Sequence, residues 1–341
     1  MATFTGTNAD EVITPQFVSP TVAATGGTAP SNEADFINAN GGNDTIDSGG
    51  GNDTVIGGTG NDVAFLGDGN DLFIWRPGEG SDVVEGGHGF DTLDFVGAAA
   101  SENVTISANG EGATFHRDPG TITMDLNSVE RIQFEAEGGA DNIVVNDLTG
   151  TGVKQVAIDL AATPGGNVGD NQSDTVTVNG TAGNNHIEVA SDGASVVVNG
   201  LSAQVTIAGA DHDKDTLVIK GLDGNDVIDA SALEGGKIDL VIDGGAGNNV
   251  IFGSHGNDTF VVTAGESRRD MIHDFQAHGA GPQGDVVELK GFSDQTFDQA
   301  VADGHIAQHG DNVVISDGTN VVATLQHVSL TSLHANDFIF T

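Results

Sequence analysis

Between residues 39 and 94 the apolar positions recur with a period of nine. Residues 39–47 read ANGGNDTID, 48–56 SGGGNDTVI, 57–65 GGTGNDVAF and 66–74 LGDGNDLFI. Trp75 and Arg76 interrupt the period, which resumes as PGEGSDVVE at 77–85 and GGHGFDTLD at 86–94. Six positions of each unit are dominated by Gly, Asn and Asp, which tolerate positive φ and predict a tight turn. The last three predict a short strand with an apolar centre: Ile46, Val55, Ala64, Phe73, Val84 and Leu93. Side chains alternate across a strand, so each centre faces a core. Two turns and two strands make a coil of 18 residues. Stacking such coils sets Asp44 beside Asp62 and Asp53 beside Asp71.

The rest of the chain keeps strand patterning and varies the turns. Residues 1–38 are polar, carry Pro15, Pro20 and Pro30, and are expected to form a loosely ordered lead-in capping the coils. Residues 95–215 alternate apolar and polar positions, as in DTVTVN at 174–179 and SVVVN at 195–199. They predict half-buried strands between Asn-Gly and Asp-Gly turns. Degenerate turn signals persist around Asp141, Asp174 and Asn185, without a full set of acidic positions. The nine-residue pattern returns within 216–264 as GLDGNDVID, GGAGNNVIF and GSHGNDTFV, with Asp226 and Asp258 at the sixth position. Asn249 replaces the middle Asp, and the 23-residue step from Asp226 is expected to break the register. In 265–341, residues 296–307 predict a short amphipathic helix, and 312–325 a hairpin about Asp317-Gly318.

Charge changes the picture. The 341 residues hold 10 Lys and Arg against 50 Asp and Glu, a formal net charge of -40. So acidic a surface repels phosphates, which argues against nucleic acid as a partner. Cysteine is absent, excluding disulfides, thiolate metal sites and Cys nucleophiles. No apolar run approaches the roughly 20 residues of a transmembrane helix. Stacked aspartates a few ångströms apart repel one another, and one short unit buries little apolar surface. A hard divalent cation resolves this: calcium takes six to eight oxygens at roughly 2.3–2.6 Å with flexible geometry, whereas magnesium demands a strict octahedron.

The repeats resemble the glycine- and aspartate-rich nonapeptides of the RTX (repeats-in-toxin) family, G-G-x-G-x-D-x-U-x. The resemblance implies an all-β fold: parallel β-roll arrays at 39–94 and 216–264, a β-rich solenoid-like segment between them, and calcium held between successive turns. In the family one turn gives its sixth-position Asp and the carbonyls of positions two and four. The facing turn gives its Asp and the carbonyls of positions one and three. Here that implies one ion at Asp44 and Asp62 with the carbonyls of Asn40, Gly42, Gly57 and Thr59. A second joins Asp53 and Asp71 with Gly49, Gly51, Leu66 and Asp68. Asp82 and Asp91 are expected as weaker ligands across the insertion, with Asp226 and Asp258 in the second array. Segment 265–341 resembles the region closing many RTX arrays. Its ending, SLHANDFIFT, resembles the uncleaved signal of type I secretion substrates, and MATFTGTNADEV lacks the features of a cleaved signal peptide. The resemblance thus implies an extracellular calcium-binding protein whose partners are calcium ions and the type I secretion machinery.

Signs of further chemistry are sparse. H-E-x-x-H, G-x-S-x-G and P-loop patterns are absent. FGSHG at 252–256 approaches the nucleophile elbow but sits in a repeat turn. His305 and His309 would share a helix face as a zinc pair, yet spacing supplies no third ligand, and solvated polar positions are the plainer reading. Trp75 and Arg76 read as a packed loop over the roll rather than a binding spot. The expectation is a non-enzymatic protein with a surface, matrix or interaction role and a cell-surface or polysaccharide partner. The alternative is an extracellular polysaccharide-acting enzyme with its site in 95–215, against which stand the 5% aromatic content and the lack of Tyr.

Overall fold

A computed structural model describes residues 1–166, 168–265, 269–278 and 283–341. The chain forms two compact units, Met1–Asp174 with Ser202–Gly209, and Thr175–Leu201 with Ala210–Thr341. Both are built from short parallel strands, and the described residues contain one α-helix, Phe297–Ala302.

In the first unit the strands form two rows. One row stacks Phe36–Asn38, Thr54–Ile56, Leu72–Trp75, Thr92–Val96, Arg131–Glu135, Gln155–Asp159 and Gln204–Ala208 in parallel. Its central apolar residues lie in register: Ile37, Val55, Phe73, Leu93, Ile132, Val156 and Val205. The other row stacks Val12–Ile13, Thr45–Asp47, Val63–Gly69 and Val83–Gly89, aligning Ile13, Ile46, Ala64 and Val84. All these side chains are buried, which explains why one apolar residue per nine suffices for a core.

The lead-in differs from expectation. Thr3–Thr5 pairs in parallel with Phe36–Asn38, and Val12–Ile13 with Thr45–Asp47, so residues 1–38 add to both rows. Phe4, Ile13 and Ile37 supply the apolar column there. A second departure lies at 103–127. Ile122–Asn127 pairs in parallel with Val83–Gly89, then Gly112–Asp118 and Asn103–Asn109 follow antiparallel, before parallel pairing resumes with Asn142–Val145. A three-stranded wedge therefore interrupts this row. Trp75 is fully buried, stacked on Phe95 at 4.0 Å with Phe115 beyond, so it is core rather than loop.

In the second unit one row stacks His186–Asp192, Val227–Ala232, Val250–Phe252, Asp270–His273 and Asn320–Leu325 in parallel. The other stacks Thr175–Asn179, Thr216–Lys220, Asp239–Asp243, Asp258–Thr263, Val286–Lys290 and Phe338–Phe340. Val227 pairs with Val250 in register, so the 23-residue step is absorbed without a slip. The helix stops at Ala302, with Gly304 at φ 79°, and Ile306–His309 is a strand. His305 and His309 therefore share no helix face; His305 Nδ1 lies 2.6 Å from Asp294.

Candidate metal centre

The sixth-position acids form one ladder along each row of the first unit. The main-chain N–H of Asp44 donates to Asp62 Oδ1 at 2.7 Å, and that of Asp62 to Asp82 Oδ1 at 2.8 Å. Along the other row Asp53 donates to Asp71 Oδ1 at 2.7 Å, and Asp71 to Asp91 Oδ1 at 2.8 Å. The insertion at Trp75 and Arg76 leaves the ladder geometry intact. Fifth-position Asn side chains add an outer ladder: Asn61 N donates to Asn43 Oδ1, and Asn70 N to Asn52 Oδ1.

The turns bring main-chain oxygens to the same joints. Thr59 N donates to Asn40 O at 2.7 Å and Gly42 N to Thr59 O at 2.9 Å. Asp68 N donates to Gly49 O at 3.1 Å and Gly51 N to Asp68 O at 2.7 Å. The hydroxyl of Ser48 donates to Leu66 O at 2.6 Å. Coils approach so closely that a Cβ on Gly60, whose φ is 128°, would lie 1.7 Å from Gly42 O. A Cβ on Gly57 would lie 2.3 Å from Asp62 Oδ2. Glycine is thus demanded both by conformation and by space.

While Oδ1 of each acid is satisfied, Oδ2 is not. The Oδ2 atoms of Asp44, Asp53, Asp62, Asp71, Asp82, Asp91 and Asp226 are buried without a hydrogen-bond partner. Burial, reinforced by neighbouring carboxylates and opposed by the ladder N–H bonds, pushes Asp44, Asp71 and Asp82 up to about 7. Asp53, Asp62 and Asp91 rise to about 6, again chiefly by burial. A buried carboxylate oxygen with no donor carries a large desolvation cost unless a cation meets it.

The second unit shows main-chain and carboxylate oxygens of facing turns converging on one point. Asn185 takes the sixth position of its turn. Its Nδ2 donates to Thr181 O at 3.2 Å, Gly183 O at 2.7 Å, Gly221 O at 3.2 Å and Asp226 Oδ1 at 3.0 Å. These are the position-two and position-four carbonyls of one turn, with the position-one carbonyl and acid of the next. One point therefore gathers four oxygens of the expected donor set, and the amide N–H groups fill it. Asn249 Nδ2 likewise reaches Asp270 Oδ1 at 2.9 Å while Asn249 Oδ1 accepts from Asp226 N. Asp258 sits equivalently in its turn, but Ser254 donates to both its oxygens at 2.6 Å.

Sequence reading missed the ladder ends. Glu11 N donates to Asp44 Oδ1 at 2.6 Å, Asp35 N to Asp53 Oδ1 at 2.7 Å, and Asp91 N to Glu130 Oε2 at 2.8 Å. Thr7 donates to Glu11, and Ser31 N and Oγ reach Asp35 Oδ2, so local donors close the Glu11 and Asp35 ends. The visible signal was an acid six positions into GTNADE and PSNEAD. Among the described residues no cluster of three or more His, Cys, Asp or Glu is gathered for a metal. The donor set is two carboxylates plus carbonyls, which suits a hard, oxygen-seeking ion.

The sequence model of the RTX calcium-binding nonapeptide repeat (4 copies) matches residues 31–55, 48–74, 78–94, 218–232 and 241–266. With the parallel strand rows and acid ladders, this defines a calcium-binding β-roll. The chain carries RTX nonapeptide repeats, and calcium is the ion such repeats bind. No curated protein matches it in sequence. Among solved structures it is similar to that titled "Crystal structure of extracellular lipase LipA from Serratia marcescens", at 18% identity and a TM-score of 0.30. The match covers 91% of this chain but 40% of the lipase, and is too distant to speak for this chain.

Proposed function

We propose that this is a secreted calcium-binding protein, exported through a type I system and folded outside the cell when calcium bridges its turns. The observation carrying this reading is the row of buried, donorless Oδ2 atoms at successive coil joints. In low calcium these carboxylates hold the joints apart, and the chain stays extended and export-competent. Where calcium is plentiful it supplies the positive charge at each joint, and its binding energy becomes folding energy. Its role is non-enzymatic, at a cell surface, in a matrix or toward a polysaccharide or protein partner.

Small-angle scattering tests the folding step. In EDTA the expected radius of gyration approaches about 66 Å, the unfolded-chain value for this length. Millimolar calcium should reduce it at least twofold. A compact particle of unchanged size in EDTA would overturn the reading. No further observation favours the polysaccharide-acting enzyme. It remains the rival proposal, tested by turnover of a polysaccharide panel. Loss of such turnover on substituting Glu135 or Asp159, which line a cavity of about 390 Å³, would establish it.

A further inference from the structure

Outside every segment matched by the repeat model, residues 97–102 (GAAASE) and 136–141 (AEGGAD) fold as a pair of facing repeat turns. Ala99 bridges Gly138 in parallel, as Gly41 bridges Thr59 and Gly50 bridges Asp68. Glu137 holds φ 60° where Asn40 holds 68°, and Gly139 holds 111° where Gly42 holds 115°. A Cβ on Gly139 would meet the Ala100 carbonyl carbon at 2.5 Å, just as one on Gly42 would meet that of Ala9 at 2.5 Å. The acids match too: Glu102 N donates to Asp141 Oδ1 at 2.7 Å.

Glu102 and Asp141 are 1% and 2% exposed, and Glu102 Oε2 and Asp141 Oδ2 are buried without a hydrogen-bond partner. Glu102 Oε2 lies 2.5 Å from the place of a Cβ on Gly97, matching the 2.3 Å between Asp62 Oδ2 and a Cβ on Gly57. Within the repeats, a carboxylate's other oxygen takes the N–H of the preceding coil. Beside Glu102 that neighbour is the antiparallel strand Gly112–Asp118, whose Asp118 pairs with Asn103 and is followed by Pro119, which carries no N–H. Arg117 takes over: its guanidinium donates to Glu102 Oε1 at 2.5 Å and to Pro119 O at 2.9 Å. One oxygen is again satisfied by protein and the other left open.

We propose that a calcium ion is held between turns 97–102 and 136–141 by Glu102 Oε2, Asp141 Oδ2 and the carbonyls of Ala98, Ala100, Ala136 and Gly138, with Arg117 as the positioning residue. The site restarts the ladder beyond the three-stranded wedge. It rests on the reading that the open oxygens of the repeats take calcium.

Long-wavelength anomalous difference maps from calcium-grown crystals of the full chain test it. A peak between Glu102 and Asp141, alongside peaks at Asp44 with Asp62 and Asp53 with Asp71, is expected. Peaks at the repeat joints without one at Glu102 overturn the inference and leave the folding proposal standing. No peak at any joint overturns both. Native mass spectrometry of Glu102→Gln should count one calcium fewer than wild type; an equal count in folded variant contradicts the site. Should that variant fail to fold, the wild-type map decides.

Discussion

At the scale of single residues, the sixth position of each turn decides how a coil joint is closed. Asp leaves its Oδ2 open for a cation, whereas Asn185 brings its own N–H groups to the turn carbonyls and to the facing acid's Oδ1. Asn185→Asp should therefore turn an amide-closed joint into a calcium-binding one, adding one calcium by native mass spectrometry. An unchanged count would refute this exchange. Gly60→Ala places a methyl against Gly42 O at positive φ. The backbone conformation alone costs about 1–3 kcal/mol. Its thermal midpoint in calcium should fall, and more calcium should be needed to fold it. The aspartates and glycines were legible in the sequence because their spacing is regular. The role of Asn185 was not, since in the sequence it is only a degenerate turn signal until the facing carbonyls are seen. Glu11 and Glu102 were hidden by their longer side chain and irregular spacing.

At the scale of the turn and strand, protons and calcium compete for the same oxygens. The ladder carboxylates are raised from about 3.8 to between 6 and 7, chiefly by burial. For an acid raised on folding, the folded state holds the proton more tightly. Its contribution is fully present below the unfolded value and is lost as pH rises through the folded one. In EDTA, acidification from pH 8 toward 4 should thus increase strand content measured by circular dichroism. In calcium the direction reverses: the calcium concentration at half-folding should rise as pH falls from 8 to 5. A calcium midpoint independent of pH across that range would contradict protonation at the ladder. Strand and turn positions in the repeats could be read from a period of nine. The wedge at 103–127 could not, because its pairing partners lie far along the chain and alternation does not state strand direction. The lead-in was misjudged because its prolines and threonines outweighed Phe4, Ile13 and Ile37, the three residues that dock it.

At the scale of the whole chain, the charge of -40 is distributed between surface and joints. Among the described residues of the first unit, five joints carry open carboxylate oxygens: Asp44 with Asp62, Asp62 with Asp82, Asp53 with Asp71, Asp71 with Asp91, and Glu102 with Asp141. Calcium at all five would offset about 10 charges and leave a strongly anionic protein, still unsuited to nucleic acid. Monovalent salt should not substitute. Screening over about 8 Å at 0.15 M acts on exposed charges far more than on buried ones. Sodium chloride at that strength in EDTA should leave the chain unfolded by proteolysis. The most direct measurement is far-ultraviolet circular dichroism of the full chain, titrated with calcium from excess EDTA. The predicted result is a cooperative gain of β-strand signal, complete by millimolar calcium and reversed by chelation. Full β-strand signal in EDTA, unchanged by calcium, would contradict the account.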